Sequence, residues 1–372
     1  MVKTIITKFK NLTIIFTTVS LFLAFFTNAK YISNTTIKAL EFCICSLLPS
    51  IFPYMFVSTL LSQYPPVFNE LSRLNKPVSR ILGICKRYAS PIILGNICGF
   101  VCGPKIICES FSKFDNKNQF TKIIFLSSNA GIGYVISFIG LTLCNDFLYG
   151  IFLYFSQLAL GFLISKFFFK RQENDTSVES TYKKATSFFS SFSKSLSTTA
   201  NALILICSYT ILFSILISVI QLIPLLSSHP LFNSIISAIL EISHGVNTSV
   251  ELNSAVLGAF FIGFSVGFSG LCVIFQILSI CDGYPIKKLK FITLKLLQGI
   301  SLGILSSIYS YFGEICPIKA VNLTSNRITL GLIIIISIII FFVLIKIILK
   351  TREILIMFKG HFKWPFCFVY II

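Results

Sequence analysis

Charge is what this chain has least of. Only 12% of its 372 residues are Asp, Glu, Lys or Arg, and acids are scarcer still, with 13 Asp and Glu against 31 Lys and Arg. Soluble domains carry roughly 25% charged residues, so a 55% hydrophobic chain with a mean hydropathy of +0.87 is not built to face water on all sides. Histidine occurs 3 times and is never clustered, and no CxxC pair is present. The 12 cysteines are scattered along apolar stretches and are expected to be small buried hydrophobes, not metal ligands or a disulfide framework. There is no G-x-S-x-G elbow, H-E-x-x-H, P-loop or pair of membrane aspartates, so no enzyme, no cofactor and no metal site is expected. Glu241 and His244 form a single E-x-x-H, which lacks the remaining ligands a metal needs. Alternating apolar and polar residues are also missing, which excludes a transmembrane β-barrel.

Long apolar runs are present instead, several of them near the roughly 20 residues a spanning helix needs. They predict an all-α polytopic membrane protein of about eight transmembrane helices, near 11–28, 47–64, 120–143, 147–168, 197–223, 253–281, 291–312 and 328–349. Residues 1–29 combine Lys3, Lys8 and Lys10 with an apolar run and are read as an uncleaved anchor in preference to a signal peptide. Two further stretches, 91–112 and 230–250, are too interrupted to be ordinary spans and are predicted as re-entrant hairpins.

The basic residues support that assignment. With both hairpins returning to the side they entered, nearly all of the 31 Lys and Arg fall on one face, leaving Lys30, Lys38, Lys319 and Arg327 on the other. By the positive-inside rule that face is cytoplasmic, with the N- and C-termini on it. The basic excess is therefore read as topology, not as a nucleic-acid surface. Lys105, inside the first hairpin, is the one basic residue left over. The implied organisation is an anchor at 1–37, a first repeat at 38–168 containing hairpin 91–112, a cytoplasmic linker at 169–195, a second repeat of opposite topology at 196–313 containing hairpin 230–250, and a last helix with a basic tail at 314–372. Inverted repeats of this kind are the architecture of secondary transporters, whose solute sites lie between the repeats at mid-membrane.

Non-helical backbone at membrane depth is tolerated where protein or a water-filled cavity satisfies it, so breaks in the apolar runs point to a site. Four occur at corresponding places: "GFVCGPK" (99–105), "SSNAGIG" (127–133), "EISHGVN" (241–247) and "GFSVGFSGLCVIFQ" (263–276). Gly95, Gly99 and Gly103 at spacing four also suit close helix packing. Lys105 is read either as a solute contact or as the i,i+4 partner of Glu109. Glu109 and Glu241 are the candidates for proton coupling or ion pairing. Free N–H groups at the hairpin tips favour carboxylate or phosphate, so a small anion is the expected solute.

At "SLLPSIFPYMFVSTLL" (46–61), "GFVCGPK", "SSNAGIGYVI" (127–136) and "GFSGLCVIFQ" (267–276) the chain resembles the YlbJ-type, SpoVV-like sporulation integral membrane proteins of endospore-forming bacteria. These belong to the nucleoside-recognition or "gate" group, similar in architecture to concentrative nucleoside transporters. The resemblance covers roughly 38–313. It implies transport of dipicolinic acid across the outer forespore membrane, with Gly99, Gly103, Lys105, Asn129, Gly270 and Gln276 at the solute site; Gly131, in the break at 127–133, is a further candidate. This chain carries Val101 where relatives tend to carry proline, and has Pro104 three residues on. Membrane lipid and the solute are the partners implied; self-association and accessory sporulation proteins stay open. A structural or assembly role in spore formation, and nucleoside transport on the same fold, are the alternatives.

Overall fold

The computed structural model describes residues 2–64, 75–111, 114, 116–170, 187–223 and 229–313, and every regular element among them is helical. The predicted span at 328–349, the basic tail and most of the linker lie outside the described residues. Five helices are long and apolar enough to cross a membrane: Ala29–Gln63, Phe147–Phe168, Phe188–Gln221, Ala255–Ile280 and Lys288–Phe312. Such helices are compatible with an integral membrane protein.

Helix α1 spans Val2–Thr27, and after Asn28 the chain continues as α2, Ala29–Gln63. The boundary expected at residues 37 and 38 therefore falls inside a continuous helix. Neither Pro49 nor Pro53 ends α2: a π-wound turn at Cys43–Leu47 widens the helix just ahead of Pro49, and Pro53 lies within the α-helical part that follows. A short helix, α3 (Asn75–Leu82), leads to α4 (Ala89–Cys98) and α5 (Cys102–Ser110). Then come α6 (Lys117–Ser127), the π-wound α7 (Gly133–Leu143) and α8 (Phe147–Phe168). The second half runs α9 (Phe188–Gln221), α10 (Pro230–Leu240), α11 (Ile242–Val250), α12 (Ala255–Phe268), α13 (Gly270–Ile280) and α14 (Lys288–Gly313). Side-chain oxygens of Asn116, Asp146, Ser187 and Ser254 accept from free N–H groups at the starts of α6, α8, α9 and α12.

Small residues set the closest packing. A Cβ on Gly263 would lie 3.0 Å from Gly303 Cα, and one on Gly267 would lie 2.8 Å from Gly299 Cα, so two glycines on each of α12 and α14 let those helices touch backbone to backbone. Gly140 and Gly150 do the same for α7 and α8, with a Cβ on Gly140 falling 2.8 Å from Gly150 Cα. Around these seams Phe120, Phe125, Ile139, Leu153, Ile164 and Ile262 are fully buried in one apolar core.

Candidate functional site

All four stretches singled out as interruptions contain a helix break. Helices α4 and α5 are separated at Gly99, which sits at φ +117°, a region side chains rarely adopt. The two arms fold back on each other: a Cβ on Gly95 would lie 2.5 Å from Gly103 Cα. Gly95 and Gly103 thus serve close packing while Gly99 makes the turn. Pro104 lies in the first turn of α5, where its missing N–H costs nothing. The turn is therefore at 99–101, ahead of the proline.

Helices α10 and α11 are separated at Glu241, an extended residue at φ −145° whose carboxylate accepts from His244 N at 2.7 Å and so caps α11 itself. These arms also fold back, with a Cβ on Gly245 falling 2.5 Å from Ala238 Cα. Helices α6 and α7 are interrupted over Ser128–Gly131, and α12 and α13 at Ser269, which is left-handed at φ 77°. A left-handed serine is strained backbone, held in place only because its surroundings fix it.

The breaks meet in pairs. A Cβ on Gly131 would lie 2.6 Å from Cys98 O, so the first break seats on the second. A Cβ on Gly270 would lie 3.0 Å from Ile242 N, so the third seats on the fourth. Tyr134 Oη and Ser243 Oγ are 3.1 Å apart and link the two pairs.

Between the pairs lies a small cavity. Gly99, Phe100 and Gly131 form its wall on the first side, and Glu241, Ser243 and Gln276 on the second. Most of the remaining lining is apolar. Gln276 is 1% exposed, its Nε2 lies 3.4 Å from Cys272 Sγ, and its Oε1 has no hydrogen-bond partner. No Lys or Arg lines the cavity among the described residues.

The other residues expected at a solute site sit elsewhere. Gly103 and Gly270 serve packing. Asn129 is enclosed: its Nδ2 donates to Asn96 Oδ1 at 2.9 Å, and its Oδ1 accepts from Gln298 Nε2 at 2.9 Å. Lys105 is half-buried and donates to the main-chain oxygen of Thr198 on α9 at 3.1 Å, while Glu109 is exposed. No Lys105–Glu109 ion pair forms, because Thr198 O takes the ammonium. Glu109 lies near Tyr284, in the connection between α13 and α14, whose phenol donates to Cys108 O at 2.6 Å. Burial, with the Cys108 and Cys281 thiols and the Glu109 carboxylate nearby, holds that phenol above its usual pKa.

Two features were not anticipated. Cys98 and Cys102 are joined as a disulfide across the first break, where all cysteines had been expected as thiols; the turn at Gly99 brings their Cα atoms to 6.0 Å. Lys295, expected among the basic residues of a cytoplasmic loop, is instead inside α14 and fully buried. Its ammonium donates to Ser128 O in the second break, to Gln298 Oε1 at 3.2 Å and toward Asn129 Oδ1 at 3.5 Å. Gln298 Nε2 also donates to Gln157 O at 2.9 Å, and Gln157 Nε2 to Ala130 O at 2.7 Å. Gly161 leaves the space this cluster needs, since a Cβ there would lie 3.3 Å from Gln298 Nε2. The one signal in the sequence was a Lys and a Gln three residues apart inside an otherwise apolar run.

No family model matches the chain, and neither a curated protein nor a solved structure matches it.

Proposed function

We propose that the protein is a membrane transporter or facilitator of a small organic acid, and that the cavity between the paired breaks is where the solute sits. The observation that carries this reading is the convergence of four helix breaks on one cavity with an unpartnered buried amide oxygen, Gln276 Oε1. Backbone interruptions at membrane depth are stable when they line such a space. In this reading α4–α5 and α10–α11 are re-entrant, and each half consists of one long helix, a hairpin, a broken span and a closing span. The halves are inverted repeats, with both termini cytoplasmic as the basic residues suggest.

The family resemblance nominates dipicolinic acid, moved from the mother cell across the outer forespore membrane. The lining supports a refinement of that expectation. A free dicarboxylate beside buried Glu241 would meet like charge in a low dielectric, so the acid enters with neutralising protons, donating to Gln276 Oε1 and to Glu241. The site residues are then Gly99, Gly131, Glu241, Ser243 and Gln276, with Lys105 outside.

A lining of amide, hydroxyl and carboxyl groups without a cation also favours a second solute, a nucleoside. Uptake of labelled dipicolinate and of uridine into vesicles carrying the purified protein, with the outside acidified, separates the two. Acid-stimulated dipicolinate uptake above empty vesicles is expected. Uridine uptake alone assigns the nucleoside reading, and uptake of neither overturns transport.

A further inference from the structure

Lys295 is a fully buried ammonium whose printed hydrogen bonds all go to neutral groups. Its acceptors are a main-chain oxygen and two side-chain amide oxygens, and the rings of Phe125 and Phe100 lie 5.4 and 5.7 Å from it. A charge inside a membrane is ordinarily neutralised by a partner or marks a pathway. Here no partner of opposite charge exists on the elements packed around it. Helices α4 and α12 carry no charged residue; α6 carries Lys117 and Lys122, α8 carries Lys166 and is capped at its opposite end by Asp146, whose carboxylate accepts from Tyr149 N, and α14 itself carries Lys288 and Lys290. Lys122 donates to Gly83 O and Lys290 to Phe168 O, and Glu109 on α5 is exposed. The tyrosines of α8 and α14 that face inward bond to neutral groups, Tyr154 to Asn96 O and Tyr149 to Ser306 Oγ, while Tyr309 Oη has no partner.

A cation held this way is one the site can release. Dipoles alone hold it there, with no carboxylate to fix the proton in place. The ammonium offers three N–H donors and the neutral amine two, so loss of the proton removes a bond that ties α14 to the break between α6 and α7. That break is part of the cavity wall. Gly131 lines the cavity and seats on Cys98 O, Asn129 reaches Asn96 on α4, and Phe100 stands with its ring between the cavity and Lys295.

We propose that Lys295 is the proton-binding site that couples solute movement to a proton gradient, its ammonium locking the Ser128–Gly131 break to α14 and its neutral amine freeing it. This rests on the reading of the cavity as a transport site, but proton binding can be tested without transport.

The first measurement is hydrogen exchange of the segment 128–133 in the purified full chain, corrected for intrinsic rates, from about pH 6 to 9. Protection is expected to fall as pH rises in the wild type and to be pH-independent in Lys295→Met. Lys295→Arg, which keeps the charge, is expected to stay protected throughout. Exchange that is pH-independent in the wild type overturns the proposal even if both variants fail to fold.

The second measurement is uptake into vesicles. With one proton moved through Lys295 beyond those the acid itself carries, each pH unit of imposed gradient adds about a further tenfold in accumulation. Wild type is expected to show this added component, and Lys295→Met to lose it while still exchanging labelled for unlabelled solute. Full gradient dependence in Lys295→Met overturns the coupling. Absence of all solute movement in the wild type overturns the transport reading, and the exchange measurement then decides Lys295 alone.

Discussion

Two polar clusters sit on either side of the same cavity and have been finished differently. The cluster around Lys295 is closed: Lys295 donates to Ser128 O and Gln298 Oε1, Gln298 to Asn129 Oδ1 and Gln157 O, Asn129 to Asn96 Oδ1, and Gln157 to Ala130 O. The cluster at the second pair of breaks is open. Gln276 Oε1, Ser265 Oγ and Ser269 Oγ are buried with no partner. A buried polar group without a hydrogen bond costs roughly 1–3 kcal/mol, and of these three Gln276 is the one that lines the cavity. The closed side is satisfied within the protein, and the open side is where the proposed solute would bond.

That contrast can be broken by mutation. The largest stability effect is expected on the closed side. Gln298→Leu removes an acceptor from Lys295 and donors from Asn129 and Gln157, and should cost about 3 kcal/mol, read as a lowered unfolding midpoint. On the open side the backbone itself can be relaxed. Ser269→Gly removes a left-handed serine and an orphaned hydroxyl and should stabilise the protein by about 1 kcal/mol in the same assay. The smallest effect belongs to Lys105→Met. Its single bond to Thr198 O makes a loss within about 1 kcal/mol the expectation, with solute exchange unchanged. If exchange collapses instead, the resemblance was right to place Lys105 at the solute.

How much of this could be read in the sequence depended on whether the signal was local. The breaks are local: Gly99, Ser128 to Gly131, Glu241 and Ser269 each interrupt an apolar run with residues that allow a turn or cap a new helix. Their use is less so. Pro104 drew attention as the breaker, yet proline in a first helical turn is harmless and the turn falls at Gly99. Pro49 and Pro53 suggest at most a kink, and α2 runs on through both, with a π-wound turn just ahead of Pro49. Lys295 was hidden by its neighbours, since Lys287, Lys288 and Lys290 make the start of α14 look like a basic loop end. What buries it comes from Ser128 and Asn129, more than 160 positions earlier. Hydrogen bonds across that separation leave no periodicity to read. The same holds for Lys105 and Thr198, 93 positions apart, where Glu109 at i,i+4 was the nearer but unused partner.

The central claim is that the open cluster binds the solute. It is tested most directly by exchange of labelled for unlabelled dipicolinate in vesicles containing Gln276→Leu, with the unfolding midpoint measured on the same preparation. Gln276 Oε1 has no partner among the described residues and its Nε2 makes one long contact with Cys272 Sγ, so the substitution should leave the midpoint unchanged within about 1 kcal/mol and reduce exchange at least tenfold. Undiminished exchange by a normally folded Gln276→Leu would contradict the account.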